Sequence, residues 1–134
     1  MNLVVDTSVW SLVLRRRRVD EADPFVVAFR SRVDRGDGIH LVGPVLQELL
    51  DGVASDVDFD RLTKLLHPFP LLPATRETYV SASRLRNLCR RKGVQASPVD
   101  FLIAAICVEN GYPLLTSDRD FSLIAAHCDL ILLA

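Results

Sequence analysis

The sequence has no apolar run approaching the roughly 20 residues that a bilayer-spanning helix needs. Its longest, Phe101 to Val108, is far shorter and lies inside a patterned segment, so no membrane anchor is expected. It also lacks an excess of charge of either sign: 16 Lys and Arg stand against 17 Asp and Glu, a formal net charge of -1. A nucleic-acid partner is therefore not announced by total charge, only by local distribution. Cysteine is sparse. Cys89, Cys107 and Cys128 have no metal-ligand spacing and cannot all pair; Cys107 and Cys128, among apolar neighbours, read as small core residues. His40, His67 and His127 carry no ligand spacing either, which excludes an obvious histidine-centred chemistry. Only five residues precede Asp6, too few for a secretory leader, and with the cysteine usage this sets the expectation of a cytoplasmic protein.

What is present is ample core material. Hydrophobic residues make up 49% of 134 positions and the mean hydropathy is +0.23, which suits one compact domain over residues 1–134. So apolar a balance implies either a helix buried on all sides or an exposed patch kept for a partner. Leu3-Val4-Val5 reads as a buried strand ending at Asp6. Val9, Trp10, Val13 and Leu14 then recur at helical spacing, and a second helix is expected from about Pro24 to Arg35, stopped by Gly36-Asp37-Gly38. Ile39–Val42 is a second strand, followed by a helix opened by Gly43-Pro44 and another from Asp58 to Leu66. Pro68, Pro70 and Pro73 confine any strand at Phe69–Leu72 to a sheet edge. A long helix from Thr75 to Lys92, stopped by Gly93, precedes a helix from Ser97-Pro98 that is apolar nearly all round. Pro113–Thr116, Phe121–Ala126 and Leu130–Leu133 complete the series as strand, helix and strand. Short strands alternating with helices predict an α/β fold with a parallel sheet, whose ligands gather outside the carboxyl ends of the strands.

Four carboxylates are expected at that edge. Asp6 ends the first strand, Asp118 follows Pro113–Thr116 after a single residue, Glu48 lies near the start of the helix after the second strand, and Asp100 falls in the first turn of the central helix. Each has a purely structural explanation. Asp6 and Asp118 suit helix N-caps, Ser97-Pro98-Val99-Asp100 fits a capping box, and Glu48 suits a solvated surface. Together they imply crowded like charges that repel unless protonated or neutralised by a cation, and hard oxygen ligands select Mg²⁺ or Mn²⁺.

The segments Val4-Val5-Asp6-Thr7-Ser8-Val9-Trp10, the helix carrying Glu48, Asp100-Phe101-Leu102-Ile103-Ala104-Ala105 and Leu115-Thr116-Ser117-Asp118-Arg119-Asp120-Phe121 resemble the PIN domain. More narrowly, they resemble the VapC toxins of prokaryotic VapBC toxin–antitoxin pairs, over the whole chain and in the family's order. The resemblance implies a three-layer α/β/α fold around a parallel sheet of four or five strands, Mg²⁺- or Mn²⁺-dependent endoribonuclease activity, a homodimer, and inhibition by a small VapB-type antitoxin. It places Asp6, Glu48, Asp100 and Asp118 on the family's acidic quartet, all four as catalytic and metal-binding residues. Asp6 and Asp100 are then the first choice for direct ligands. Asp120 falls on a further acidic position with a supporting role, and Ser8, ahead of Thr7, falls where a hydroxyl assists the metal shell.

An all-carboxylate site can approach an anionic phosphodiester only through metal ions, which activate water and stabilise developing charge. Three rivals need other features. A haloacid-dehalogenase-like phosphatase needs an acid at Ser8, and a response-regulator receiver needs adjacent acids where Asp6 is followed by Thr7. A degenerate PIN domain that only binds RNA or protein is the non-enzymatic alternative, which metal-dependent cleavage would exclude. Two basic runs, Arg15, Arg16, Arg17 and Arg18, and Arg84 and Arg86 through Arg90, Arg91 and Lys92, are either solvated faces or contacts to RNA backbone. An apolar partner surface is expected near Trp10, Leu14 and Phe25.

Overall fold

The computed structural model describes residues 1–15 and 17–133; Arg16, a candidate for RNA contact in the first basic run, lies outside the described residues. The chain runs β1 (Asn2–Val5), α1 (Thr7–Val13), α2 (Pro24–Asp34), β2 (Gly38–Val42), α3 (Gly43–Leu50), α4 (Asp56–Leu66), β3 (Leu71–Leu72), α5 (Arg76–Arg91), α6 (Pro98–Asn110), β4 (Leu114–Leu115), α7 (Asp120–Ala125) and β5 (Leu132–Leu133). The five strands form one parallel sheet in the order β3-β2-β1-β4-β5, and the helices complete a three-layer α/β/α fold. β3 is the edge strand that its flanking prolines demand.

That order has a consequence for ligands. From β1 the chain winds outward through β2 to β3, then returns past β1 to β4 and β5. The direction reverses between β1 and β4, and a crevice opens at the carboxyl ends of those two strands. Val4 and Val5 lie opposite Leu114 and Leu115, and the Asp6 N–H donates to the Leu115 carbonyl at 2.9 Å. Asp6 and the segment after β4 therefore emerge side by side at the switch point.

The core runs on both sides of the sheet, from Leu3, Val4, Val5, Leu114 and Leu115 to Trp10, Phe29, Phe101, Ile103, Ile106 and Phe121. The apolar helix forecast from composition is α6. Six of its residues, Phe101 and Ile103 to Cys107, are buried; removing one such large side chain, as in Phe101→Ala, costs about 3–5 kcal/mol. Its start is fixed by a capping box in which Ser97 and Asp100 exchange side-chain-to-backbone bonds, with Pro98 in the first turn. Gly111, at φ 67°, ends it in the left-handed conformation that L residues disfavour. Trp10 corrects an expectation. It is 2% exposed and packs edge-on against Phe29 and Phe69 at ring separations of 5.1 and 5.0 Å, so it belongs to the core and not to a partner surface.

Candidate metal centre

Three elements deliver the carboxylates. β1 ends at Val5 and delivers Asp6, which is 6% exposed. The Asp6 Oδ2 atom accepts from Ser8 Oγ and from Thr116 Oγ1, each at 2.8 Å. Asp6 occupies the N-cap position of α1, yet its side chain makes no capping bond; the capping explanation of this residue fails, and its carboxylate is held by hydroxyls instead. Charge-assisted bonds of this kind are worth about 1.5–3 kcal/mol each. The hydroxyls are themselves tied down: Ser8 Oγ lies 3.2 Å from Thr116 Oγ1, the Ser117 N–H donates to Ser8 Oγ at 3.1 Å, and the Asp118 N–H donates to Thr116 Oγ1 at 3.0 Å. Thr7 contributes nothing to this network. Its hydroxyl is buried and has no hydrogen-bond partner among the described residues.

Asp118 follows Thr116 and Ser117, and its Oδ1 accepts from the Asp120 N–H at 2.9 Å, so it does support the start of α7. Asp100, half-buried in the first turn of α6, spends Oδ2 on the Ser97 N–H at 3.4 Å. One oxygen of each of Asp100, Asp118 and Asp120 falls within a group whose members all lie within 4.8 Å of one another. The pKa of Asp100 is pushed above the ordinary carboxylate range, first by burial and then by the charges of Asp118 and Asp6, against the lowering effect of its bonds with Ser97. Asp6 thus shares the field of the cluster. It also raises the Cys107 thiol, which burial alone already drives up, to about 12, leaving that cysteine a protonated core residue.

These residues fit a divalent cation. Asp6 and Asp118 each commit one oxygen to protein hydrogen bonds and, among the described residues, leave the other without one, while Asp100 spends Oδ2 on Ser97. Among the described residues none of the cluster has an ion-pair partner. Acceptor-only oxygens crowded at one edge, with no ion-pair partner among the described residues, are a hard-ligand set.

Of the expected residues, the structure brings Asp100 and Asp118 together, with Asp6 and Ser8 beside them, and draws Asp120 into the tightest group. Glu48 is exposed on α3 and stands outside that group. Thr116 was missed: it was read only as part of a motif, although a hydroxyl in the last strand position before an Asp at the switch point was a usable signal. Of the first basic run, Arg15, Arg17 and Arg18 are exposed and follow the end of α1.

The family model for the PIN domain matches residues 3–127. Among solved structures, VapBC2 from Rickettsia felis bound to a DNA fragment from its promoter is similar, with a TM-score of 0.78 and 19% identity over 99% of this chain and 98% of that chain. VapBC-1 from nontypeable Haemophilus influenzae gives 0.78 and 18% over 99% and 97%. VapBC-5 from Mycobacterium tuberculosis gives 0.67 and 18% over 98% of each chain. At such identities the likeness speaks for the fold.

Proposed function

The chain belongs to the PIN-domain family, and from that premise we propose that it is a Mg²⁺- or Mn²⁺-dependent endoribonuclease, the toxin of a toxin–antitoxin pair. The observation that carries this reading is the carboxylate group of Asp100, Asp118 and Asp120 within 4.8 Å, with Asp6 locked beside it by Ser8 and Thr116.

In this reading Asp6, Asp100 and Asp118 hold the metal. A divalent cation, when bound, supplies Lewis-acid charge at the scissile phosphate and lowers the pKa of water there. Ser8 and Thr116 keep the Asp6 carboxylate in one orientation, so no reorganisation is needed when substrate arrives. Asp120 offers a further acceptor to metal or water, and Glu48, exposed on α3, is the fourth carboxylate of the quartet in this reading.

The partners follow from surface and family. Leu14, Leu49, Val53, Leu62 and Leu65, with the Asp58–Arg61 pair, line an apolar groove of about 370 Å³. We assign it to a small VapB-type antitoxin, in keeping with the VapBC complexes that the fold resembles. Leu14 thus keeps the partner role first sought around Trp10. A homodimer is proposed on the same footing. No helix is long and apolar enough to cross a membrane among the described residues.

The test is cleavage of total cellular RNA by the purified chain. Cutting is expected with Mg²⁺ or Mn²⁺, none in EDTA, and none from Asp6→Asn or Asp100→Asn in any buffer. Undiminished cleavage in EDTA removes the metal mechanism; RNA binding with no cleavage under any metal makes this a PIN domain that only binds.

A further inference from the structure

The second basic run is not one surface. At one end of the α5–α6 pair, Thr78 Oγ1 donates to the Glu109 carboxylate at 2.9 and 3.1 Å; at the other, Arg86 and Phe101 line a common pocket. The helices are therefore antiparallel, and the last turns of α5 lie beside the first turn of α6. Arg86 and Arg90, four residues apart, share one helix face. Arg84 turns elsewhere, to a hollow it shares with Val80 and Leu88.

Arg86 and Arg90 open onto a pocket of about 260 Å³ completed by Val94, Gln95, Ala96 and Phe101. This pocket adjoins the metal centre through the chain itself. Gln95 and Ala96 precede Ser97, whose hydroxyl accepts from the Asp100 N–H at 3.2 Å, and Phe101 follows Asp100 directly. Two guanidinium groups of like charge one turn apart repel, and among the described residues neither has a carboxylate partner. Such an arrangement suits an anion supplied from outside. Phe101 is 2% exposed, so it closes the floor and offers no face on which a base could stack. That favours a phosphate over a nucleobase, and the planar fork of arginine matches phosphate oxygens in pairs.

We propose that Arg86 and Arg90, with Gln95 at the rim, form a subsite for a backbone phosphodiester of single-stranded RNA next to the one being cut. The proposal rests on the endoribonuclease reading. It gives the enzyme a cationic handhold beside an acidic centre that otherwise repels its substrate. Contacts of this kind are sequence-independent, and each phosphate neutralised contributes about 0.7 to the slope of log affinity against log salt for single strands.

The experiment follows binding of a fluorescently labelled single-stranded RNA oligonucleotide to the full chain by anisotropy, in EDTA, over a salt series. Arg86→Gln/Arg90→Gln should bind more weakly and lose about 0.7 or more of the slope. Arg84→Gln, the control for charge on the other face, should leave the slope unchanged, and Arg86→Lys/Arg90→Lys should recover it because the charges return. In Mg²⁺ the double Gln variant should raise KM with little change in kcat, the mark of a uniform binding contact. A double Gln variant with the wild-type slope overturns the subsite, as does a wild type that fails to bind at the lowest salt; metal-dependent cleavage by the wild type would then leave the enzyme reading standing. Absence of cleavage by the wild type under every metal overturns both.

Discussion

Asp118 supports α7 through its Oδ1 and also belongs to the carboxylate cluster, and one substitution separates the two roles. Arg119, not Asp118, is the N-cap of α7, and in Asp118→Asn the amide keeps an oxygen to accept from the Asp120 N–H, so the bond that supports the helix survives. If support of α7 is the whole role, little should change in any buffer. If Asp118 is a ligand, removing its charge also relieves Asp100, whose pKa it helps to raise, so the metal-free variant should melt at or slightly above the wild type. The contrast appears with metal. A cation at ~100 times its dissociation constant stabilises the folded state by about 2.7 kcal/mol. For 134 residues, an unfolding entropy of about 2.1 cal/mol/K per residue gives about 0.28 kcal/mol/K, hence a rise of about 10 °C. Differential scanning fluorimetry of both proteins, in EDTA and in millimolar Mn²⁺, should show that rise for the wild type and its loss in the variant. Equal gains for the two would refute ligation by Asp118.

Thr116→Val keeps the shape of a nearly buried residue but deletes its bond to Asp6 and leaves the Asp118 N–H unpaired; it should cost about 1.5–3 kcal/mol in urea unfolding and lower cleavage, whereas wild-type stability would mean that Ser8 alone holds Asp6. Asp100 sets a pH dependence. Its folded pKa is raised, so the native state binds the proton more tightly than the unfolded chain, and the associated stability is present below the ordinary carboxylate pKa and lost as pH rises through the folded one. In EDTA, the advantage in melting temperature of Asp100→Asn over the wild type should therefore shrink as pH falls from 7 toward 4; a constant difference would contradict the crowded-charge account. Light scattering at high concentration should report a homodimer, and a monodisperse monomer would remove it.

The fold was legible because its signals are local. Alternating strand and helix patterns, Gly43-Pro44, Ser97-Pro98 and the prolines around Leu71–Leu72 each set a boundary near the observed one. The site was legible in part. Asp6, Asp100 and Asp118 are placed by topology, since each closely follows a strand end or opens a helix at the switch-point edge. The place of Asp120 in the cluster depends on the turn that Asp118 and α7 make, which residue spacing does not encode. The role of Thr116 was only faintly signalled for a related reason: its bond to Asp6 joins elements far apart in sequence. Trp10 was misplaced because helical periodicity identifies an apolar stripe without saying whether another element covers it; Phe29 and Phe69 do.

The burial of α6 bears on how the centre would respond to motion. Amides in the buried middle turns of a helix exchange with solvent only through openings that approach global unfolding, whereas a six-residue helix and its leading turn can open on their own. Asp100 is mounted on the first kind of element, Asp118 and Asp120 on the second. In deuterium exchange, the backbone from Ile103 to Cys107 should therefore be the slowest region with or without a cation, while residues 117–121 should exchange readily until a cation joins them to Asp100. The centre is a fixed post and a hinged arm, and its occupancy should be written in the protection of the arm.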